Sequence, residues 1–392
     1  MRKNITLSLA ALYLFPWGIQ CLADNFISVY TERLPFATAG TVGNVAAIGA
    51  VVTMVSQLIW TGAAGKAKDK CNVLSVSLIL LAAFSLLFLI GGITKPLLYL
   101  FVFLFYSCYM THQPLIDTIA SENCGKTNHA FGWFRSFASF GYAVMGLLFA
   151  FLPNDTDYIF IYIAALAALS AVISKTVSAP NRLSKSENNK SEKCMNRRFV
   201  CFLVYSFCLF LCSRILGFFF SAYYCSVSEG LGGSIGMLSL ILSLGTFGEW
   251  IVMLVFGKKA VRAKPVAVFM LIALSGILRA GIIFVFESPA LVSVSVVFSA
   301  VWFGLLWSAA TPYIKQTVPE KSLAWAQGVW TVTTSGAAPL VGSYLGGLFA
   351  ERFGYRPLFL VVSAIMLALL LLTPVLIKKC DDSHLNTPAP QS

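Results

Sequence analysis

Six ionisable residues stand inside long apolar runs: Asp24, Asp117, Arg135, Arg214, Glu249 and Arg279. A charge in hydrocarbon costs about 2.5–3.5 kcal/mol on insertion scales, so each needs a partner, a water-filled cavity or a role. Three acids balance three bases, which points to pairing. A carboxylate and a guanidinium at one depth can form a fork-like ion pair, or together grip a hydroxyl-rich ligand. A carboxylate among apolar neighbours can also take up and release a proton.

Asp117 and Arg135 lie in the runs 96–121 and 129–152, joined by the short polar turn Ser121–Asn128. Such runs are antiparallel neighbours, and the midpoint between the two charges is Lys126, within the turn. At 1.5 Å rise per residue both side chains sit at one depth, roughly 6–11 Å inside the boundary. Tyr142 follows Arg135 by two helical turns on the same face and offers a ring on which a sugar could stack. The plainer alternatives are a permanent helix–helix salt bridge and a packing tyrosine. Glu249 and Arg279 lie too deep in runs 235–256 and 265–287 to reach water easily. Glu249 is the candidate proton carrier, with a fixed ion pair as its plain alternative. Asp24 and Arg214 hold comparable positions in runs 5–30 and 199–226, which a repeat of the halves makes symmetry mates, and are candidates for a charge pair across the centre. His112 and the tryptophans read as packing residues.

The elements that carry these residues follow from composition. Of 392 residues, 58% are hydrophobic and 11% charged, with a mean hydropathy of +0.80. A soluble domain is about 25% charged, so a soluble enzyme, a nucleic-acid-binding module and a disordered scaffold are excluded. Twelve apolar runs, from 5–30 to 355–377, have the length of membrane-crossing helices. The long polar segment, 179–198, is a solvated linker that parts a six-helix bundle at 1–178 from another at 199–379, with a tail at 380–392. The opening Met1-Arg2-Lys3 and the apolar stretch after it read as a retained first helix.

The net charge of +12 sits mostly in short loops, where it sets orientation and does not suggest a nucleic-acid partner. With the N-terminus inside, twenty-one Lys and Arg lie on the inner side and only Arg33, Lys95, Arg352 and Arg356 outside. This bias predicts a multi-pass protein of the cell membrane with both termini cytoplasmic. The ten cysteines form no CxxC pair and have no histidine cluster beside them, so no metal and no cofactor is expected. The halves echo each other: Ala130, Gly132, Ser139 and Gly146 match Ala326, Gly328, Ser335 and Gly342 at one common offset. Two related six-helix halves, with a site between them near midplane, make a transporter architecture. Its expected partners are a small-molecule substrate and the lipid bilayer, and it is expected to act as a monomer.

The stretch PLIDTIASENCGKTNHAFGWFRSFASFGY (Pro114–Tyr142) resembles the span 4–5 signature of the lactose permease branch of the major facilitator superfamily. There an acid and an arginine eighteen residues apart bind galactosides, with an aromatic seven residues later; Asp117, Arg135 and Tyr142 match those places. Glu249 and Arg279 resemble the span 8 Glu and span 9 Arg of phenylpropionate permease and nucleoside–proton symporter relatives, and GGLFAERFGYRPLF (Gly346–Phe359) fits the span 11–12 signature. The departures are definite. The loop 2–3 motif is reduced to Gly62-Ala-Ala-Gly-Lys66-Ala-Lys-Asp69-Lys70, Val301–Ala310 lacks a His/Glu pair, and Arg214 stands where lactose permease is acidic.

The resemblance implies an all-α membrane protein of the major facilitator fold that imports a small polar solute, a sugar or glycoside first, driven by the proton gradient alone. Asp117, Arg135, Tyr142, Asp24 and Arg214 would bind substrate, and Glu249 with Arg279 would couple the proton. The rivals are a proton antiporter exporting drugs or metabolites, and a symporter of nucleosides or aromatic acids.

Overall fold

The computed structural model describes residues 2–123, 127, 131–177, 195–228 and 230–377. Lys126, most of the linker and the tail lie outside them. In hydrocarbon every backbone N–H and C=O must be satisfied within the protein, and these sequences do so as helices. The first half holds α1 (Arg2–Glu32), α2 (Ala39–Lys66), α3 (Lys70–Leu86), α4 (Lys95–Cys108), α5 (His112–Asn123), α6 (Phe131–Phe151) and α7 (Thr156–Ser174). The second holds α8 (Arg197–Cys225), α9 (Ile235–Arg262), α10 (Pro265–Val285), α11 (Pro289–Ser293), α12 (Val296–Thr317), α13 (Leu323–Thr331), α14 (Ala338–Phe353) and α15 (Tyr355–Leu376). Ten stretches are long and apolar enough to cross a membrane alone. The two remaining crossings are broken: α4 with α5, and α13 with α14 through a π-helical turn, Val332–Ala337. Together they make the twelve crossings expected from the sequence.

The packing repeats by halves. α1 packs on α6 and α7, as α8 packs on α14 and α15; α3 packs on α7, as α10 packs on α15; α2 packs on α4, as α9 packs on α12. Between halves, α2 meets α14 as α9 meets α6, and α1 meets α8 on the axis. Equivalent glycines fix the register. A Cβ on Gly141 would run into the main chain of Leu14, and one on Gly342 into that of Leu211. Gly141, not Gly146, is therefore the counterpart of Gly342. The same register sets Arg214 against Trp17 and Asp24 against Ser221, so Asp24 and Arg214 are not symmetry mates.

The break between α4 and α5 is stabilised from α2. Met110 sits at φ +60, an uncommon conformation for a residue with a side chain. The carbonyls released there find donors: Trp60 Nε1 to Ser107 O at 2.9 Å, Gln57 Nε2 to Met110 O at 3.1 Å, and Thr111 Oγ1 to Cys108 O at 2.7 Å. In the degraded loop motif, Asp69 accepts from the Cys71 N–H at the start of α3, and Lys70 pairs with Glu122 on α5.

α7 finishes and α8 begins at one end of the bundle, the linker end; the halves meet tightly at the other, the far end. A Cβ on Gly43 of α2 would lie 2.6 Å from the Gly347 Cα of α14, so only glycine permits this backbone contact. Ser239 of α9 donates to the Gly146 carbonyl of α6 at 2.6 Å. Gly347→Ala is therefore expected to loosen the far end. In a cysteine-depleted protein carrying Ala39→Cys, whose carbonyl abuts Gly347, far-side maleimide labelling should quicken severalfold; an unchanged rate would refute closure by this contact. Toward the linker end α6 and α9 part around a groove of about 320 Å³ lined by Trp133, Phe137, Phe140, Phe247 and Trp250.

Candidate functional site

One face of α1 carries Gln20, Asp24 and Asn25 toward the space between the halves. Gln20 precedes Asp24 by one helical turn, and its Nε2 donates to Asp24 Oδ2 at 3.2 Å. Tyr109, turned inward by the α4–α5 break, donates to Asp24 Oδ1 at 2.8 Å. Asn25 donates to the Tyr142 hydroxyl at 2.9 Å and to the Cys21 carbonyl at 2.8 Å. The first half thus presents a carboxylate, two amides and two phenols.

The second half answers with Arg214 on α8. Its Nε donates to Ser343 Oγ on α14 at 3.3 Å, and its guanidinium lies 4.6 Å over the Phe218 ring. It is close enough to interact electrostatically with Asp24 and Tyr106. Among the described residues no ion pair joins Arg214 to Asp24. The two charges face each other from opposite halves with polar capacity to spare. Glu249 on α9 is half-buried and near enough to Tyr142 to interact electrostatically, and no hydrogen bond or ion pair joins its carboxylate to another described residue.

Asp117 and Arg135 form a separate tier. Tyr13 Oη donates to Asp117 Oδ1 at 2.7 Å, whereas Arg135 Nε stands 3.9 Å from the same oxygen. That is a charge contact without the two parallel bonds of a fork. Arg135 lies 4.7 Å over Trp17, which stacks on Tyr13 and meets His112 edge-on. Tyr13 and Asp24 are eleven residues apart on α1, about 16 Å of rise. The expected constellation of Asp117, Arg135 and Tyr142 is accordingly divided: the charges sit near the linker end, and Tyr142 belongs with Asn25 at the centre. Both side chains of the outer pair are about one-third exposed, so the contact is worth about 1 kcal/mol or less. Arg135→Lys should weaken solute binding by no more than about fivefold, read by isothermal calorimetry; a loss approaching that of an Asp24 variant would move the main site toward the linker end.

Glu249 and Arg279 are not brought together either. Arg279 turns into the second half, where it is 3% exposed and donates to Ser299 Oγ at 2.8 Å and the Leu216 carbonyl at 3.1 Å. Among the described residues there is no group of three or more His, Cys, Asp or Glu that could hold a metal ion.

The MFS_1 like family matches residues 6–361. Two relatives align over most of their length. The uncharacterized transporter YwbF of Bacillus subtilis is 22% identical over 391 residues, covering 97% of this chain and 96% of the relative. The maltose permease of Geobacillus stearothermophilus is 23% identical over 345 residues, covering 86% of each. The crystal structure of the nucleoside transporter NupG superposes with a TM-score of 0.81 at 17% identity, over 96% of this chain and 99% of that one. The similarity to that structure concerns the fold.

Proposed function

The chain belongs to the MFS_1 like family and is a multi-pass membrane transporter of a small solute, and from that premise we propose that it imports a nucleoside by proton symport. The observation that carries this reading is the central tier, where Asp24 and Arg214 face each other from opposite halves without pairing. A nucleoside combines a vicinal diol with a flat, uncharged heterocycle. The Asp24 carboxylate can accept both ribose hydroxyls, Gln20 and Asn25 can meet the base edge, and the half-buried Tyr142 ring offers a stacking face. Arg214 would donate to the solute from the second half, so that binding draws the halves together. Asp117 and Arg135 would form the outer polar stop between the linker end and the centre.

The sugar expectation rested on Asp117, Arg135 and Tyr142 acting as one constellation, and these lie in two tiers. The nucleoside alternative has support from the likeness to NupG, while the maltose permease relative keeps a sugar as the competing outcome. We take Glu249 as the proton carrier, the termini as cytoplasmic from the basic-residue bias, and the single chain as the working unit.

The test is uptake into proteoliposomes under an imposed inward proton gradient. Labelled uridine or adenosine should accumulate above equilibrium and collapse on adding a protonophore. Accumulation of maltose with no competition by either nucleoside would replace this reading with sugar symport, and proton-driven efflux of dyes would replace it with export.

A further inference from the structure

Arg279 is a buried cation that the transport reading above does not use. It lies 3% exposed between α8, α10 and α12, against the Phe220 ring. Among the described residues no carboxylate forms an ion pair with it. Two of its nitrogens donate to Ser299 Oγ and the Leu216 carbonyl, both uncharged, while its Nε has no hydrogen-bond partner. Burying a guanidinium without a counter-charge costs several kcal/mol, and a buried N–H left unpaired adds to that.

The surroundings supply donors, several of them unused. Ser295, the helical-φ/ψ residue just before α12, and Ser299 and Trp302 on α12 follow at i, i+4 and i+7 and therefore share one face. Ser299 touches Arg279 directly, and Trp302 reaches over Gly276, one turn before Arg279 on α10. That face of α12 thus lies against the Arg279 side of α10. The Ser295 hydroxyl and the Trp302 indole N–H have no partner, at 0% and 1% exposure. Ser299 receives a bond from Arg279, which leaves its own O–H free to donate. Serine hydroxyls, an indole N–H and a guanidinium N–H form a donor-rich, cationic set with no anionic acceptor. That set suits a small anion.

We propose that Arg279, Ser295, Ser299 and Trp302 form a site for one small inorganic monovalent anion, chloride in size and charge, inside the second half. The anion neutralises Arg279 and accepts from the groups that otherwise lack partners. Sealing of Arg279, Ser295 and Trp302 disfavours an organic carboxylate, which would bring a bulky substituent with it. Among the described residues no hydrogen bond or ion pair links this site to Asp24, Tyr142 or Glu249, so it bears on the stability of the half and not on solute recognition.

The test is thermal unfolding of the purified protein in detergent at fixed ionic strength, with gluconate replaced stepwise by chloride. Wild type should gain about 2 °C or more in Tm, with saturation, and bromide should act similarly while benzoate does not. Ser295→Ala with Trp302→Phe removes two donors and keeps the packing, so the half-saturating chloride concentration should rise about tenfold or more. Glu249→Gln should leave the chloride response unchanged, since Glu249 does not supply the counter-charge. A Tm indifferent to chloride, or a double variant with the wild-type response, would overturn the site. Benzoate acting like chloride would instead assign these groups to an anionic organic ligand.

Discussion

Asp24→Asn is expected to lower nucleoside affinity by roughly 100-fold, the effect of weakening two charge-assisted hydrogen bonds at about 1.5 kcal/mol each. The substitution keeps the shape of the side chain, and Tyr109 can still donate to its oxygen. The fold should therefore persist, as size exclusion and thermal unfolding would check. Arg214→Gln should be damaging too, because on the proposed reading Arg214 would meet the solute from the opposite half. The two losses should not add: with both charges gone, neither is left facing an empty partner, and the double variant should bind better than the sum of the single effects implies. Calorimetry on the four proteins decides the matter. Asp24→Asn binding within about threefold of wild type, or strict additivity, would remove Asp24 and Arg214 from the solute site.

The helices were legible because hydrocarbon forces a simple code. Length and hydropathy mark a crossing, and polar punctuation marks its ends. The intramembrane charges were legible by the same logic, since each is expensive and so conspicuous. Their grouping was not. The eighteen-residue spacing of Asp117 and Arg135 places both at one depth, and the structure does set them 3.9 Å apart. Tyr142, however, though on the same face of its helix, lies about 10 Å further along the axis, and at that depth it meets Asn25 on α1 instead. Tyr109 was invisible for another reason. It reaches Asp24 because the helix is broken at Met110, and the carbonyls freed there are satisfied by Trp60 and Gln57, about fifty residues earlier in the chain. A long-range compensation of that kind leaves no local signal beyond the polar Thr111-His112-Gln113. The π-helical turn Val332–Ala337 adds a further source of error, since it interrupts the α-helical pitch in the crossing from which the repeat offset was read.

The second large effect concerns energy coupling. Glu249→Gln should reduce proton-driven accumulation to the equilibrium level while solute exchange across the membrane continues. The reasoning begins with its setting. Glu249 is half-buried in α9 near Tyr142 of the opposite half, and no cation among the described residues pairs with it. A carboxylate with no such partner can be sealed from water at small cost only when a proton neutralises it. Rocking of the halves would seal and release it, so each passage of the solute-loaded protein would carry one proton. Glutamine copies the neutral form permanently and lets the loaded protein reorient with no proton to deliver. The variant should therefore run counterflow at a rate near that of wild type, yet fail to respond to an imposed gradient. Arg279→Gln does not share this phenotype if Arg279 serves the second half alone; its exchange and accumulation should fall together or not at all. Uphill accumulation by Glu249→Gln at the wild-type level would place the proton elsewhere, and Asp24, the other carboxylate at the centre, would become the group to test.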